Sequence, residues 1–102
     1  MRTLEQIRQR LAAGEFEFSR HALRRVVERN ISATEIQEAG VAAEIIEDYP
    51  DDKYSPSTLL LGFTMGGRPL HFHVSCAETE KAKIITIYEP HPREWKDFRI
   101  RR

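Results

Sequence analysis

The stretch that decides the fold is residues 57–76, Ser57-Thr-Leu-Leu-Leu-Gly-Phe-Thr-Met-Gly-Gly-Arg-Pro-Leu-His-Phe-His-Val-Ser-Cys76. Two β-rich runs, Ser57–Thr64 and Pro69–Cys76, flank the dipeptide Gly66-Gly67, a pattern typical of a hairpin. A two-residue turn at this dipeptide pairs residues whose numbers sum to 133. The predicted apolar face then pairs Phe63 with Leu70, Leu61 with Phe72, and Leu59 with Val74. The other face pairs Gly62 with His71, Leu60 with His73, and Thr58 with Ser75.

A third run, Ile84–Tyr88, extends the hairpin into an antiparallel sheet. With a loop at Glu78–Lys81, Val74 pairs with Ile85 and Phe72 pairs with Ile87 on the apolar side. The opposite side pairs His71 with Tyr88 and His73 with Thr86. Both hairpins therefore assign the residues of the middle strand to the same two faces. We expect the polar face to stay open, with Gly62 leaving room for a ligand beside His71.

The rest of the chain predicts helices that cover the apolar face. Thr3 with Gln6 and Ser32 with Glu35 have the spacing of capping boxes, and Ser19 is a third N-cap. These caps predict helices to about Ala13, Asn30 and Gly40, the second with an apolar stripe of Leu23, Val26 and Val27. Phe16–Phe18 is a short extended piece, and Glu44–Tyr49 is a strand. The expected fold is α+β, a single domain over residues 1–102 with helices on one face of a roughly four-stranded antiparallel sheet.

Composition excludes several classes of protein. The 102 residues are 40% hydrophobic and 31% charged, which suits a globular domain rather than a disordered chain. Cys76 is the only cysteine, so the chain forms no internal disulfide and no cysteine-based zinc site. No apolar run approaches the roughly 20 residues of a membrane span, so we expect a cytoplasmic protein that does not associate with membranes.

Charge is unevenly distributed along the chain. Residues 1–31 carry a net +3, residues 32–56 a net −6, and residues 57–102 a net +3. This pattern suggests two electrostatic faces for two different partners, or ordinary solvated faces. The pI near 6.9 supports nucleic-acid binding less than a basic pI would.

The predicted polar face carries the first group of candidate site residues. His71 and Tyr88 are cross-strand neighbours that could exchange a proton with a substrate, and His73 and Thr86 could position it. The alternative is a solvated sheet face that happens to be polar. His71 and His73 also have the spacing of metal ligands on one side of a strand, a weaker hypothesis.

The second predicted helix carries the other group. His21, Arg25 and Arg29 recur every four residues and form one cationic stripe, which could hold phosphate groups. The alternative is an exposed helix with Arg–Glu pairs such as Arg24 with Glu28. His21 lies in the first helical turn, where the helix dipole favours its neutral form.

Four segments in this order carry a family resemblance: Ser19-Arg-His-Ala-Leu-Arg-Arg25-Val-Val-Glu-Arg29-Asn-Ile31, Glu47-Asp-Tyr-Pro-Asp-Asp52, Gly67-Arg-Pro-Leu-His71 and Thr86-Ile-Tyr88-Glu-Pro90. Over residues 16–100 the chain resembles small prokaryotic domains related to the RelE, ParE and BrnT toxins. The resemblance implies a RelE-like fold and a toxin of a type II toxin–antitoxin pair, which cleaves RNA without a metal or other cofactor. Its partners would be RNA and a small antitoxin, often of a zinc-finger type. The recurrent polar residues of the pattern fall on His21, Arg25, Arg29, His71 and Tyr88.

The leading hypothesis is therefore a metal-independent endoribonuclease. In it a ribose 2′-OH attacks the adjacent phosphate, with His71 as base or acid and Tyr88 as its proton partner. Arg25 and Arg29 stabilise the phosphate, His21 is a second acid or base, and His73 and Thr86 position the RNA. The alternatives are a non-catalytic protein-binding module and a divalent-metal site at His71 and His73.

Overall fold

The computed structural model describes residues 1–102. Its helices are α1 (Leu4–Ala12), α2 (Arg20–Glu28) and α3 (Ala33–Gly40). Its strands are β1 (Phe16–Phe18), β2 (Glu44–Tyr49), β3 (Ser57–Phe63), β4 (Pro69–Ser75), β5 (Ala82–Tyr88), β6 (Trp95–Lys96) and β7 (Ile100–Arg101). The α+β class is confirmed.

The main sheet has five strands in the order β1-β5-β4-β3-β2, so the prediction of four antiparallel strands was wrong. The extra strand, β1, pairs in parallel with β5, and Phe16 lies opposite Ala82. Phe16 and Phe18 are packed against the core while Glu17 is exposed, the alternation of an edge strand. Burial of the two rings makes a three-residue segment part of the sheet. Strands β6 and β7 form a separate small hairpin.

The register of β3 and β4 differs by one residue from the predicted one. Leu60 pairs with Phe72 and Leu61 with His71, so pair numbers sum to 132. The turn contains three residues rather than two, because the Thr64 backbone N–H bonds the Arg68 carbonyl at 3.0 Å and Gly67 takes a φ of +86°. Since neighbouring residues of a strand point to opposite faces, this one-residue shift exchanges the faces of β3.

The register of β4 and β5 confirms most of the prediction. His71 pairs with Tyr88, Phe72 with Ile87, and His73 with Thr86. Val74 pairs with Ile84 instead of Ile85, because a β-bulge interrupts the ladder after His73. The bulge lets Ile84 and Ile87 both face the core although they are three residues apart.

All three predicted N-caps are confirmed, with both capping boxes formed. The predicted apolar stripe of α2 was partly wrong: Ala22 and Val26 are buried, whereas Leu23 is 54% and Val27 is 77% exposed. The small Ala22 side chain allows the helix to lie close to the sheet. In this orientation the side chain of the next residue, Leu23, points to solvent. None of the three helices is long and apolar enough to cross a membrane.

The core lies between the helices and one face of the sheet. Its members come from every helix and from β3, β4 and β5, and Cys76 is among them, as predicted. Gly62 faces this core, so the prediction that it leaves room for a ligand beside His71 was wrong. A Cβ placed on Gly62 would lie 2.1 Å from the Ala39 carbonyl oxygen, which shows how closely α3 approaches β3.

Arg68, which lies between β3 and β4, links the end of α2 and the start of α3 to the sheet. Its guanidinium donates to the carbonyls of Arg29 and Asn30 at 3.0 Å each, and to the carboxylates of Glu35 at 3.0 Å and Glu89 at 2.6 Å. It therefore satisfies carbonyls that follow α2 and pairs with the first turn of α3.

We expect Arg68→Ala to lower the free energy of unfolding by about 2 kcal/mol, because two carbonyls and a half-buried carboxylate lose their donor. Arg68→Lys should recover only part of this loss, since an ammonium lacks the planar fork. Urea unfolding monitored by circular dichroism measures both variants. A change below about 0.5 kcal/mol for Arg68→Ala would contradict the role assigned to this side chain.

Candidate functional site

The helix-free face of the sheet is partly covered by the C-terminal segment, so the prediction of a fully open polar face was wrong. The indole of Trp95 packs edge-on against the His71 ring, with centroids 4.5 Å apart, and Phe98 contacts Phe63 at 6.3 Å. Both His71 and Trp95 are almost inaccessible to solvent. The cover follows from the apolar character of Trp95 and Phe98, which bury their rings on the nearest available surface.

His71 and Tyr88 form a hydrogen-bonded pair beneath this cover. His71 Nε2 lies 2.6 Å from the Phe98 carbonyl oxygen, which can only accept, so this nitrogen carries the proton. His71 Nδ1 then accepts from the Tyr88 hydroxyl at 3.0 Å. Burial lowers the pKa of His71 and raises the pKa of Tyr88, so the imidazole is neutral and the phenol protonated near neutral pH.

His73 is held by a serine and a carboxylate. The Ser57 hydroxyl donates to Asp52 Oδ2 at 2.6 Å, and Ser57 Oγ lies 2.7 Å from His73 Nε2. Because the hydroxyl proton is used on Asp52, His73 Nε2 must donate to Ser57 Oγ. The neutral imidazole of His73 therefore has its lone pair on Nδ1.

The free nitrogen of His73 is accessible and unprotonated. No protein group hydrogen-bonds His73 Nδ1, and the only completely buried side-chain polar atom without a partner belongs to Arg2, so Nδ1 is not completely buried. Burial lowers the pKa of His73, and the nearby Asp52 carboxylate partly opposes this effect. His73 thus presents a proton acceptor at neutral pH, which is what general-base catalysis requires.

His73 opens into a cleft of about 660 Å³, which we call the His73 cleft. Its lining residues are Tyr49, Pro50, Asp51, Asp52, Leu59, His73, Thr86, Tyr88 and Arg101. Arg101 donates to Glu47 at 2.8 and 3.1 Å and lies over the Trp95 ring, while its Nη1 has no protein partner. Tyr49 donates its hydroxyl to the same Glu47 carboxylate and packs edge-on against His73. Base, phenol and guanidinium therefore share one cleft.

Two further clefts adjoin the first one. The Arg29 cleft, about 550 Å³, shares Tyr88 with it and is lined by Arg29, Arg68, Tyr88, Glu89, His91, Glu94 and Trp95. The Lys83 cleft, also about 550 Å³, shares His73 and Asp52 and includes Tyr54, Lys83 and Ile85. Neighbouring clefts share residues, so the three lie next to one another on this side of the molecule.

The structure brings together some of the predicted site residues. His73, Thr86 and Tyr88 line the His73 cleft, and His71 supports Tyr88 from below. Arg29 donates to the Ile87 carbonyl at 2.8 Å and its guanidinium lies 6.0 Å from the Tyr88 ring centre.

His21 and Arg25 line none of the clefts. Arg25 pairs with Glu28 at 3.1 Å, and His21 is exposed on α2. The catalytic roles of both residues stay predictions.

The alternative metal site at His71 and His73 finds little support in the hydrogen bonds. Both nitrogens of His71 are already bonded to protein groups, and no three His, Cys, Asp or Glu side chains converge anywhere in the chain. A metal would have to displace Tyr88 or the Phe98 carbonyl.

Three residues of the site were missed in the sequence. Asp52 and Ser57 lie at the end of the acidic turn and the start of β3, and this proximity is a weak signal for their contact. Arg101 carries no local signal, because its place depends on the return of β7 over the sheet.

A family model described as a domain of unknown function, DUF4258, matches residues 18–89. A comparison with curated proteins and one with solved structures found no match. The matched region spans more than two thirds of the chain and runs from the last residue of β1 to just past the end of β5, so it includes His71, His73 and Tyr88. The chain therefore belongs to the DUF4258 family.

Proposed function

We propose that the protein is a metal-independent endoribonuclease that cleaves single-stranded RNA in the His73 cleft. The observation that carries this proposal is the accessible, neutral Nδ1 of His73 beside Tyr88 and Arg101. The reaction is attack of a ribose 2′-OH on the adjacent phosphorus, which expels the 5′-oxygen of the next nucleotide and leaves a 2′,3′-cyclic phosphate.

Each step has a candidate group in the cleft. His73 Nδ1 removes the 2′-OH proton as general base. The free Nη1 of Arg101 donates to a phosphate oxygen as negative charge develops there. Tyr88, kept protonated by its raised pKa, turns its hydroxyl proton away from His71 Nδ1 and gives it to the departing 5′-oxygen, a much stronger base than phenolate.

His71 has a supporting role in this mechanism. It is buried, and its two nitrogens are engaged, so the proposal moves the general base from His71 to His73. His71 accepts the Tyr88 hydroxyl and fixes where that oxygen lies. Ser57 and Asp52 hold His73 in the tautomer that leaves Nδ1 free.

The experiment is cleavage of an end-labelled single-stranded RNA by purified protein in the presence of EDTA. We expect cleavage with 2′,3′-cyclic phosphate ends, and none in an oligonucleotide whose nucleotides all lack the 2′-OH. Cleavage that EDTA abolishes, or products with other ends, would contradict the mechanism. Intact RNA would favour a protein-binding module.

The activity should depend on pH through His73. Because its pKa lies below the ordinary 6.5, kcat/KM is expected to fall on the acidic side with an apparent pKa below 6.5. Asp52→Asn removes the carboxylate that raises this pKa, so the acidic limb should move to still lower pH. A stopped-assay profile from pH 4.5 to 8 measures both enzymes. A limb above 6.5, or one that Asp52→Asn moves upward, would contradict the assignment.

A second function, docking of a protein partner, is favoured by one surface of α2. Leu23 and Val27 are exposed one turn apart, and the adjacent Arg20 and Arg24 have no carboxylate partner. This surface suits an acidic amphipathic segment, and we propose the small antitoxin of a cytoplasmic type II toxin–antitoxin pair as the source.

The test is whether the product of an adjacent small gene co-purifies with the protein. Co-purification that is lost in a Leu23→Asp and Val27→Asp double variant would support this docking surface. Unchanged capture by the double variant would remove this surface from consideration.

A further inference from the structure

We infer that the Arg29 cleft is a base-recognition subsite that selects guanine in the nucleotide next to the cleaved bond. The inference rests on the proposed function, since the two clefts meet at Tyr88. A base held in the Arg29 cleft lies one side chain away from the groups proposed to act on the phosphate.

The cleft offers an unusual set of unused hydrogen-bonding groups. Arg29 uses only Nη1, on the Ile87 carbonyl, which leaves its other donors free. Glu94 has no ion-pair or hydrogen-bond partner for its carboxylate. His91 Nδ1 accepts from the Arg93 backbone N–H at 3.0 Å, so its Nε2 carries a proton and is a donor.

The other two charged groups of this cleft are already satisfied. Arg68 and Glu89 pair with each other at 2.6 Å, and Arg68 also bonds two carbonyls and Glu35. Because Arg68 and Glu89 are engaged with protein groups, Arg29 and Glu94 supply the charged groups of the cleft that are free to bind a ligand.

Guanine is the base that complements both groups. Its O6 and N7 accept from a guanidinium, and its N1–H and N2–H donate to a carboxylate. Adenine lacks the N1–H and N2–H pair, and uracil and cytosine lack N7. The Tyr88 ring also lines this cleft, with the Arg29 guanidinium 6.0 Å from its centre.

A simple phosphate-binding role fits the cleft less well. The unpaired Glu94 carboxylate would repel a phosphate placed beside Arg29. His91 and Glu94 lie beyond the residues matched by the family model, so the proposed selectivity concerns this chain rather than the whole family.

The test is a binding measurement that does not depend on cleavage. Fluorescently labelled 2′-O-methyl RNA pentamers, which cannot undergo 2′-OH attack, differ only in one nucleotide: guanosine, inosine or adenosine. We expect guanosine to bind about 10- to 100-fold more tightly than adenosine by anisotropy, with inosine between them because it lacks N2–H. In Glu94→Gln the preference for guanosine should fall to about 3-fold or less. The matched control Glu17→Gln, an exposed carboxylate on β1, should leave the preference unchanged.

The outcomes separate the two proposals. Equal binding of the guanosine and adenosine pentamers, or a preference that survives in Glu94→Gln, would overturn the subsite. A guanosine preference in a protein that never cleaves RNA would overturn the nuclease and retain the subsite. Absence of binding by any pentamer would overturn both.

Discussion

Replacing His73 by glutamine is expected to reduce the rate of RNA cleavage by about 10²- to 10⁴-fold, the usual contribution of a general base. Glutamine is chosen because its Nε2 amide can still donate to Ser57 Oγ, so the contacts with Asp52 and β3 persist. What it lacks is the basic lone pair of Nδ1. Single-turnover rates at saturating protein measure the chemical step directly.

Two controls accompany this prediction. The thermal midpoint of His73→Gln should stay within a few degrees of the wild type, which separates lost chemistry from lost folding. Asp48→Asn, an exposed carboxylate on the edge strand β2 outside all three clefts, should cleave at the wild-type rate. If His73→Gln cleaved as fast as Asp48→Asn, the general base would lie elsewhere.

Replacing Gly62 by alanine is expected to cost about 3 kcal/mol in the free energy of unfolding, and the thermal midpoint should fall by roughly 10–20 °C. The new Cβ would meet the Ala39 carbonyl oxygen at 2.1 Å and its carbon at 2.7 Å. Both are backbone atoms, so α3 must move away from the sheet to relieve the overlap. Differential scanning calorimetry gives the midpoint.

The matched control is Gly66→Ala in the hairpin turn. There the new Cβ would meet only the Thr64 hydroxyl oxygen, at 3.8 Å, and the residue has no positive φ. Gly66→Ala should therefore change stability by less than about 1 kcal/mol, and reduced freedom of the unfolded chain favours a small gain. A Gly62→Ala protein as stable as Gly66→Ala would show that α3 does not press on β3.

Local signals in the sequence were sufficient for the helices and for half of the sheet. The caps at Thr3, Ser19 and Ser32 act through atoms three residues away, so their geometry is readable without tertiary information. The pairing of His71 with Tyr88 followed from the alternation of apolar residues in two strands. Both predictions need only the regular spacing of residues along a helix or a strand.

The errors arose where tertiary contacts decide between similar local choices. Gly66-Gly67 permits a two-residue or a three-residue turn, and the one-residue difference exchanged the faces of Leu60 and Leu61. Burial of Leu60 and the contact of Gly62 with α3 select the longer turn. The parallel pairing of β1 has no local signature, because its partner β5 lies more than 60 residues later.

The site was predictable in residue type but only partly in role. The polar face carries His71, His73, Thr86 and Tyr88 as predicted. The return of Trp95 and Phe98 over the sheet buries His71 and leaves His73 accessible. Which of the two histidines is buried therefore depends on the C-terminal segment, which is irregular apart from the short strands β6 and β7. No periodicity in this segment indicates which surface it covers.

The proposed mechanism requires that His73 presents an unprotonated Nδ1 to the His73 cleft at neutral pH. Long-range ¹H–¹⁵N NMR of uniformly labelled protein, titrated from pH 4.5 to 8, measures the tautomer and the protonation midpoint of each histidine. We expect His73 to carry its proton on Nε2 and to have a protonation midpoint below 6.5. A proton on Nδ1, or a midpoint above 6.5, would contradict it.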